Sequence, residues 1–192
     1  MNEHHAQEVH AKVTFGFWTY LMTDLIMFAT LVATYIVLHN NVFGGPGIQE
    51  LTNLPYVLIQ TLLVLTGAFA CRVGLASFYL DCRKKTAAWL VISLAFAVAF
   101  CWTQYHQFDV LLDMGISYQN SGFLSAFFTL LAIFAVHVMI AIFWTVILLI
   151  QFCLPRFAGL MKTRLTCLSL FWSFLSIVWL VILTVVYLMG AL

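Results

Sequence analysis

Five long apolar stretches dominate this chain and leave little room for any fold but one: 17–38, 54–79, 87–105, 122–152 and 165–189. A helix needs about 20 apolar residues, at 1.5 Å of rise each, to cross a hydrocarbon layer ~30 Å thick. Each stretch reaches or approaches that length. Charged residues make up 8% of the chain, against ~25% in an ordinary soluble domain. So few charges cannot cover a water-facing surface, and a soluble enzyme is excluded. A net charge of +1 offers no clustered basic footprint for nucleic acid. The sequence predicts an all-α integral membrane protein, with a polar tail over 1–16 and a single five-span membrane domain over 17–192.

Punctuation agrees with these spans. Thr52-Asn53-Leu54-Pro55 supplies a polar cap and a first-turn proline, Ser121-Gly122 can cap the fourth helix, and 43–47 is a glycine-rich turn. The fourth stretch exceeds what a bilayer requires, so it tilts or protrudes. Direction follows from the eight basic residues. Lys12 lies in the tail, Arg83, Lys84 and Lys85 between the second and third spans, and Arg156, Lys162 and Arg164 between the fourth and fifth. Arg72 lies toward the same end of the second span, and the loops 39–53 and 106–120 contain no Lys or Arg. The excess of positive charge marks the cytoplasmic side. The N-terminus is therefore expected inside and the C-terminus outside. The tail lacks the apolar segment of a signal peptide. Its histidines His4, His5 and His10 suit a mobile tail better than a metal tract.

A redox centre would need ligands. Haem iron requires an axial His, Met or Cys, and a haem–copper pair requires several histidines together. Only His137 lies deep within a span; His39 and His106 sit at outer margins. The methionines pair with no His at helical spacing, and methionine commonly fills cores. Cys71, Cys82, Cys101, Cys153 and Cys167 form no CxxC motif and read as small packing residues. The chain is expected to hold no metal or cofactor of its own. An intramembrane serine protease fails on distance: Ser125 and His137 are twelve residues apart, roughly 18 Å along a helix, where nucleophile and base need ~3 Å.

The remaining polar residues within the spans are the candidates for function. Asp24 and Arg72 each lie about 10 Å inside the cytoplasmic ends of the first two spans. Burying such charges costs several kcal/mol. Either the two pair with each other, or Arg72 snorkels to the surface while Asp24 is protonated or bonded to another subunit. Gln60, Gln104 and His137 can hydrogen-bond between helices, at about 0.6–2 kcal/mol each. A single His in a helix is more often a packing residue than a proton relay. Gly67, Ala70, Cys71 and Gly74 recur at i, i+3, i+4 and i+7, a groove of small side chains into which a neighbouring helix fits. Ser169, Ser173 and Ser176 share helical spacing on the fifth span and suit interhelical packing. Trp172, Ser176 and Trp179 share a face there, expected to meet lipid or another subunit.

Several of these segments together carry a family likeness. They are Phe15-Gly16-Phe17-Trp18, Tyr20-Leu21-Met22-Thr23-Asp24, Leu54-Pro55, Ser121 through Phe128, His137-Val138, and Cys167 through Gly190. The chain resembles subunit III of the haem–copper terminal oxidases, in the bacterial five-helix form found in bo-type ubiquinol oxidases. The resemblance implies a subunit without haem or copper, packed on a haem–copper subunit I, with subunits II and IV as further partners and phospholipid in a cleft between its helices. It implies a role in stabilising subunit I and sustaining its proton uptake, in the bacterial inner membrane. Where the family often carries glutamate, this chain has Gln60 and, in the third span, Gln104. The family pattern Trp-His-Phe-x-Asp appears as Trp172-Ser173-Phe174-Leu175-Ser176, which removes two titratable groups together. A small transporter or channel is the competing reading. Transporters tend toward broken helices and internal repeats, and the sequence offers no convincing repeat.

Overall fold

A computed structural model describes residues 3–39, 54–116, 121–152 and 158–188. Five long helices account for nearly all of them: α1 (Glu3–Leu38), α2 (Leu54–Tyr79), α3 (Arg83–Asp113), α4 (Gly122–Phe152) and α5 (Ala158–Ile182), the last continued by a π-helical segment, Leu183–Leu188. All five contain a stretch long and apolar enough to cross a membrane, and no strand occurs among the described residues. This is the architecture the sequence predicts. The expected 43–47 turn and the Thr52-Asn53 cap lie outside the described residues, as do Cys153, Arg156, Met189 and Gly190.

Three helices run beyond their expected bounds: α5 begins at Ala158 rather than at 165, and α1 and α3 are longer as well. The tail is helical from Glu3 rather than irregular up to residue 16, so α1 runs for 36 residues, about 54 Å. Good helix formers fill this segment, and Glu8 pairs with Lys12 one turn later at 3.9 Å. The third helix begins at Arg83 and continues to Asp113, well past the apolar stretch 87–105, because polarity ends a span without ending a helix.

Helix ends are set by local chemistry. At the end of α2, Asp81 takes a left-handed conformation, φ +56°. This lets the Cys82 amide donate to the Ser77 carbonyl and the Asp81 amide to the Phe78 carbonyl, so that two orphan carbonyls are satisfied in three residues. The tight reversal that results joins α2 and α3 into a closely packed hairpin. Gly115, φ +74°, closes α3 in the same way, with the Ile116 amide on the Leu111 carbonyl. The predicted cap of α4 forms: the Leu124 amide donates to Ser121 Oγ at 3.2 Å.

The central element is α5. It packs against α1, α2 and α4, while α3 bridges α2 and α4. Of the most apolar window in each span, 56% is buried for α5 and 22% for α1. Aromatic side chains fill the middle largely at tilted and edge-to-face angles, with Trp179 between Phe100 and Phe134, and Phe28 against Phe134, Phe174 and His137. Between helices in lipid there is little hydrophobic drive, so such close packing, with interhelical hydrogen bonds, holds the bundle together. Large apolar side chains, Phe15, Trp18, Phe69, Trp102 and Phe143 among them, remain exposed on the outer faces, as a membrane-embedded bundle permits.

Candidate functional site

The polar residues inside the bundle fall into two groups. The first lies in its middle and toward the end where α2 turns into α3. Asp24 of α1 does not meet Arg72. Its carboxylate Oδ2 stands 3.8 Å from Nε2 of His137 on α4, with both side chains nearly buried. At that distance the contact is electrostatic, longer than a hydrogen bond. His137 Nδ1 lies 2.8 Å from the Ile133 carbonyl and must donate there, because a carbonyl only accepts. The ring's other nitrogen therefore faces the carboxyl group. A proton on either Nε2 or the carboxyl makes the contact attractive; with neither protonated, two lone pairs oppose each other. Phe28 and Phe171 flank the imidazole.

Arg72 on α2 turns instead to α5. Its Nη2 and Nε both donate to Ser173 Oγ, at 2.7 and 3.1 Å, and Ser173 in turn donates to the Ser169 carbonyl at 2.7 Å. Of the two alternatives for Asp24 and Arg72, the mutual pair does not form, and two separate contacts stand in its place. Helical depth alone placed both charges at one level, whereas the bundle order puts α4 beside α1 and α5 beside α2. Ser176 donates to the Trp172 carbonyl one turn back on its own helix, at 2.9 Å.

The second group lies in the other half of the bundle and is uncharged. Gln60 Nε2 donates to Gln107 Oε1 at 3.2 Å and approaches Gln104 Oε1 at 3.5 Å. Gln60 is fully buried and Gln104 almost so. At the next residue along α2, Trp179 Nε1 donates to Thr61 Oγ1 at 2.9 Å, and Thr61 donates to the Val57 carbonyl. Nearby, Tyr56 donates to the Thr103 carbonyl at 2.6 Å.

The small-residue stripe of Gly67, Ala70, Cys71 and Gly74 faces the interior: Ala70 and Cys71 are buried, and the two glycines meet large side chains of other helices. A methyl group on Gly67 would lie 3.2 Å from the Trp172 indole, and one on Gly74 would lie 3.4 Å from Trp89. Ser93 of α3 reaches the Gly67 carbonyl at 2.8 Å. The tryptophan face of α5 is a correction. Trp172 and Trp179 are 1% and 0% exposed, so they meet neither lipid nor another subunit and instead plug the core against α2 and α3. A helix apolar all round gives no periodic signal for which side faces inward, so the sequence could not choose.

Sequence reasoning missed Gln107, Ser93 and Tyr187. Gln107 follows Gln104 by one turn, a spacing that places both on one face. Nothing local distinguished Tyr187. Among the described residues no group of three or more His, Cys, Asp or Glu is arranged to hold a metal ion. Cys71, Cys82, Cys101 and Cys167 are free thiols.

Fold and interior together define a five-span membrane protein whose interior polar groups bond partly helix to helix. The chain is 38% identical to cytochrome bo(3) ubiquinol oxidase subunit 3 of Pseudomonas aeruginosa, across 98% of its own length and 90% of the relative's. It is 35% identical to quinol oxidase subunit 3 of Bacillus spizizenii, across 91% and 86%. It is 31% identical to cytochrome c oxidase subunit 3 of a Bacillus species, strain PS3, across 91% and 84%. No protein-family model matches the chain. The chain belongs to the subunit 3 family of the respiratory terminal oxidases. It is a multi-pass membrane protein that works in a complex with other oxidase subunits, and the transporter reading finds no support among these relatives.

Proposed function

We propose that this chain is a non-catalytic scaffold of its oxidase, holding the haem–copper subunit I in its working shape and sustaining proton uptake there. Haem and copper belong to subunit I in this reading, and subunits II and IV complete the complex. The membrane is the bacterial inner membrane, with a cytoplasmic N-terminus, a periplasmic C-terminus, and residues 17–192 as one membrane domain. Ubiquinol is the electron donor in this reading, in keeping with the name of the Pseudomonas aeruginosa relative; the Bacillus spizizenii relative is named a quinol oxidase subunit. The observation that carries the reading is how the intramembrane polar groups are occupied. Arg72, Ser173, Gln60 and Gln107 hydrogen-bond across helices and His137 bonds within its own, the behaviour of packing residues.

Phospholipid fits the same reading. An apolar groove of about 330 Å³ runs between α1 and α5, lined by Leu25, Phe28, Val32, Ile36, Ile177 and Val181. Its shape and chemistry suit an acyl chain. The test is to purify the oxidase from cells lacking this chain and follow haem content and oxygen consumption through many turnovers. Lower yield of haem-loaded complex, with activity that decays during turnover, is expected. Unchanged assembly and sustained oxygen consumption would overturn the scaffold role. Cysteine labelling from each side of the membrane, at residue 8 and in the loop 39–53, checks the orientation.

A further inference from the structure

The uncharged group holds more hydrogen-bonding capacity than its own members can use. Gln60 Nε2 serves both neighbouring carbonyls, yet Gln60 Oε1 and Gln104 Nε2, on the far ends of the same pair of amides, have no partner and no contact with solvent. Close by, the buried Tyr187 hydroxyl has Gln107 as its hydrogen-bonding neighbour, at a geometry too poor to satisfy it. Rotating the amides exchanges which atoms are left over, oxygen for nitrogen, and does not remove the shortfall. One acceptor, one amide donor and one hydroxyl thus stand open together; among the described residues the other such atoms are Asp24 Oδ2 and Trp172 Nε1, and folded proteins leave few buried polar groups unsatisfied.

We infer that α2, α3 and the end of α5 enclose a site for ordered water, held by Gln60, Gln104, Gln107 and Tyr187. A buried water typically makes two to four hydrogen bonds to polar groups that lack partners. Water here, as one molecule or several, donates to Gln60 Oε1, accepts from Gln104 Nε2 and bonds the Tyr187 hydroxyl. The backbone supports the assignment independently. Tyr187 comes from the π-helical segment Leu183–Leu188, and such segments are rare and concentrate at functional sites. The Val186 carbonyl in that segment accepts from Tyr35 of α1 at 3.4 Å, which ties the segment to α1. The site carries no carboxylate and no imidazole among its four residues. It stores water within the bundle without carrying a fixed charge.

Two measurements on the assembled oxidase decide the matter. Cryo-electron microscopy at a resolution that shows water is expected to reveal a density peak within hydrogen-bonding distance of the Gln60 and Gln104 amides. A void there, or side chains rotated so that the three amides and the phenol close on one another, would overturn the inference. Infrared spectra recorded in ordinary water and in water enriched with oxygen-18 are expected to show an isotope-sensitive O–H stretch that disappears in Gln104→Leu. Persistence of the whole isotope-sensitive spectrum in that variant would also overturn it. Should Gln104→Leu fail to assemble, the density in the unmodified complex decides alone.

Discussion

The two polar regions of this bundle solve the same problem by different means. Toward the α2–α3 turn, ionisable side chains are kept apart and matched to separate partners: Asp24 to His137 and Arg72 to Ser173. In the opposite half, three glutamines gather around one another and no ionisable carboxyl or imidazole is involved. Charges in lipid are tolerated when each finds a partner or reaches the surface. Amides carry no charge, so they can cluster and trade donors for acceptors. Damage beside the nearly buried Asp24 therefore leaves an ionisable group without its partner, whereas damage to the second region strands a dipole, which costs less; Arg72, being exposed, escapes this cost.

The largest expected effect is at His137. His137→Ala leaves the Asp24 carboxyl facing a cavity among Phe28 and Phe171, at a cost of about 3–5 kcal/mol. Loss of assembled oxidase after mild detergent extraction checks this. Asp24→Asn should be far milder, because the new amide can donate to Nε2. Equal damage from both would mean that the contact does not account for Asp24. In the amide region, Gln60→Leu removes the donor for two buried carbonyls and is expected to cost about 2 kcal/mol. The triple change of Gln60, Gln104 and Gln107 to Leu should be less harmful than the sum of the single changes, since no amide is then left unmatched and only the Tyr187 hydroxyl remains. A thermal melt of the complex reads both.

At the boundary between the regions, Gly67→Ala forces the Trp172 indole aside and is expected to cost about 1 kcal/mol. Trp172 fluorescence should shift with the melting temperature, and an unchanged spectrum and stability would show that α2 and α5 have slack there. The smallest effect belongs to Ser173→Ala, about 0.5 kcal/mol, because Arg72 is exposed enough to be solvated from the surface once its acceptor is gone. A loss as large as that of His137→Ala would place Arg72 among the buried charges and erase the contrast.

Particular residues show what could be read in advance. Ser121 acts as the cap its type and position suggested, and Gly67 and Gly74 receive their neighbours as the small-residue spacing required. Gln60 and Gln104 meet as interhelical partners. Asp24 and Arg72 share a level in the membrane and still find different partners. Trp172 and Trp179, expected on the outside, stand at the centre. Each success is a local matter of residue type and helical period. Each failure concerns which helix lies beside which.

That division has a physical reason. Apolar length and the scarcity of charge determined five helices, since a chain in lipid must satisfy its backbone internally and has few ways of doing so. The same uniform apolarity erased the amphipathic stripe that tells a soluble helix where its core is. Bundle order, the burial of α5 and the pairing of Asp24 with His137 were left to shape: to Trp172 seating on Gly67, and to polar atoms finding partners where lipid offers none. Those are properties of five surfaces brought together, and only the tertiary structure contains them.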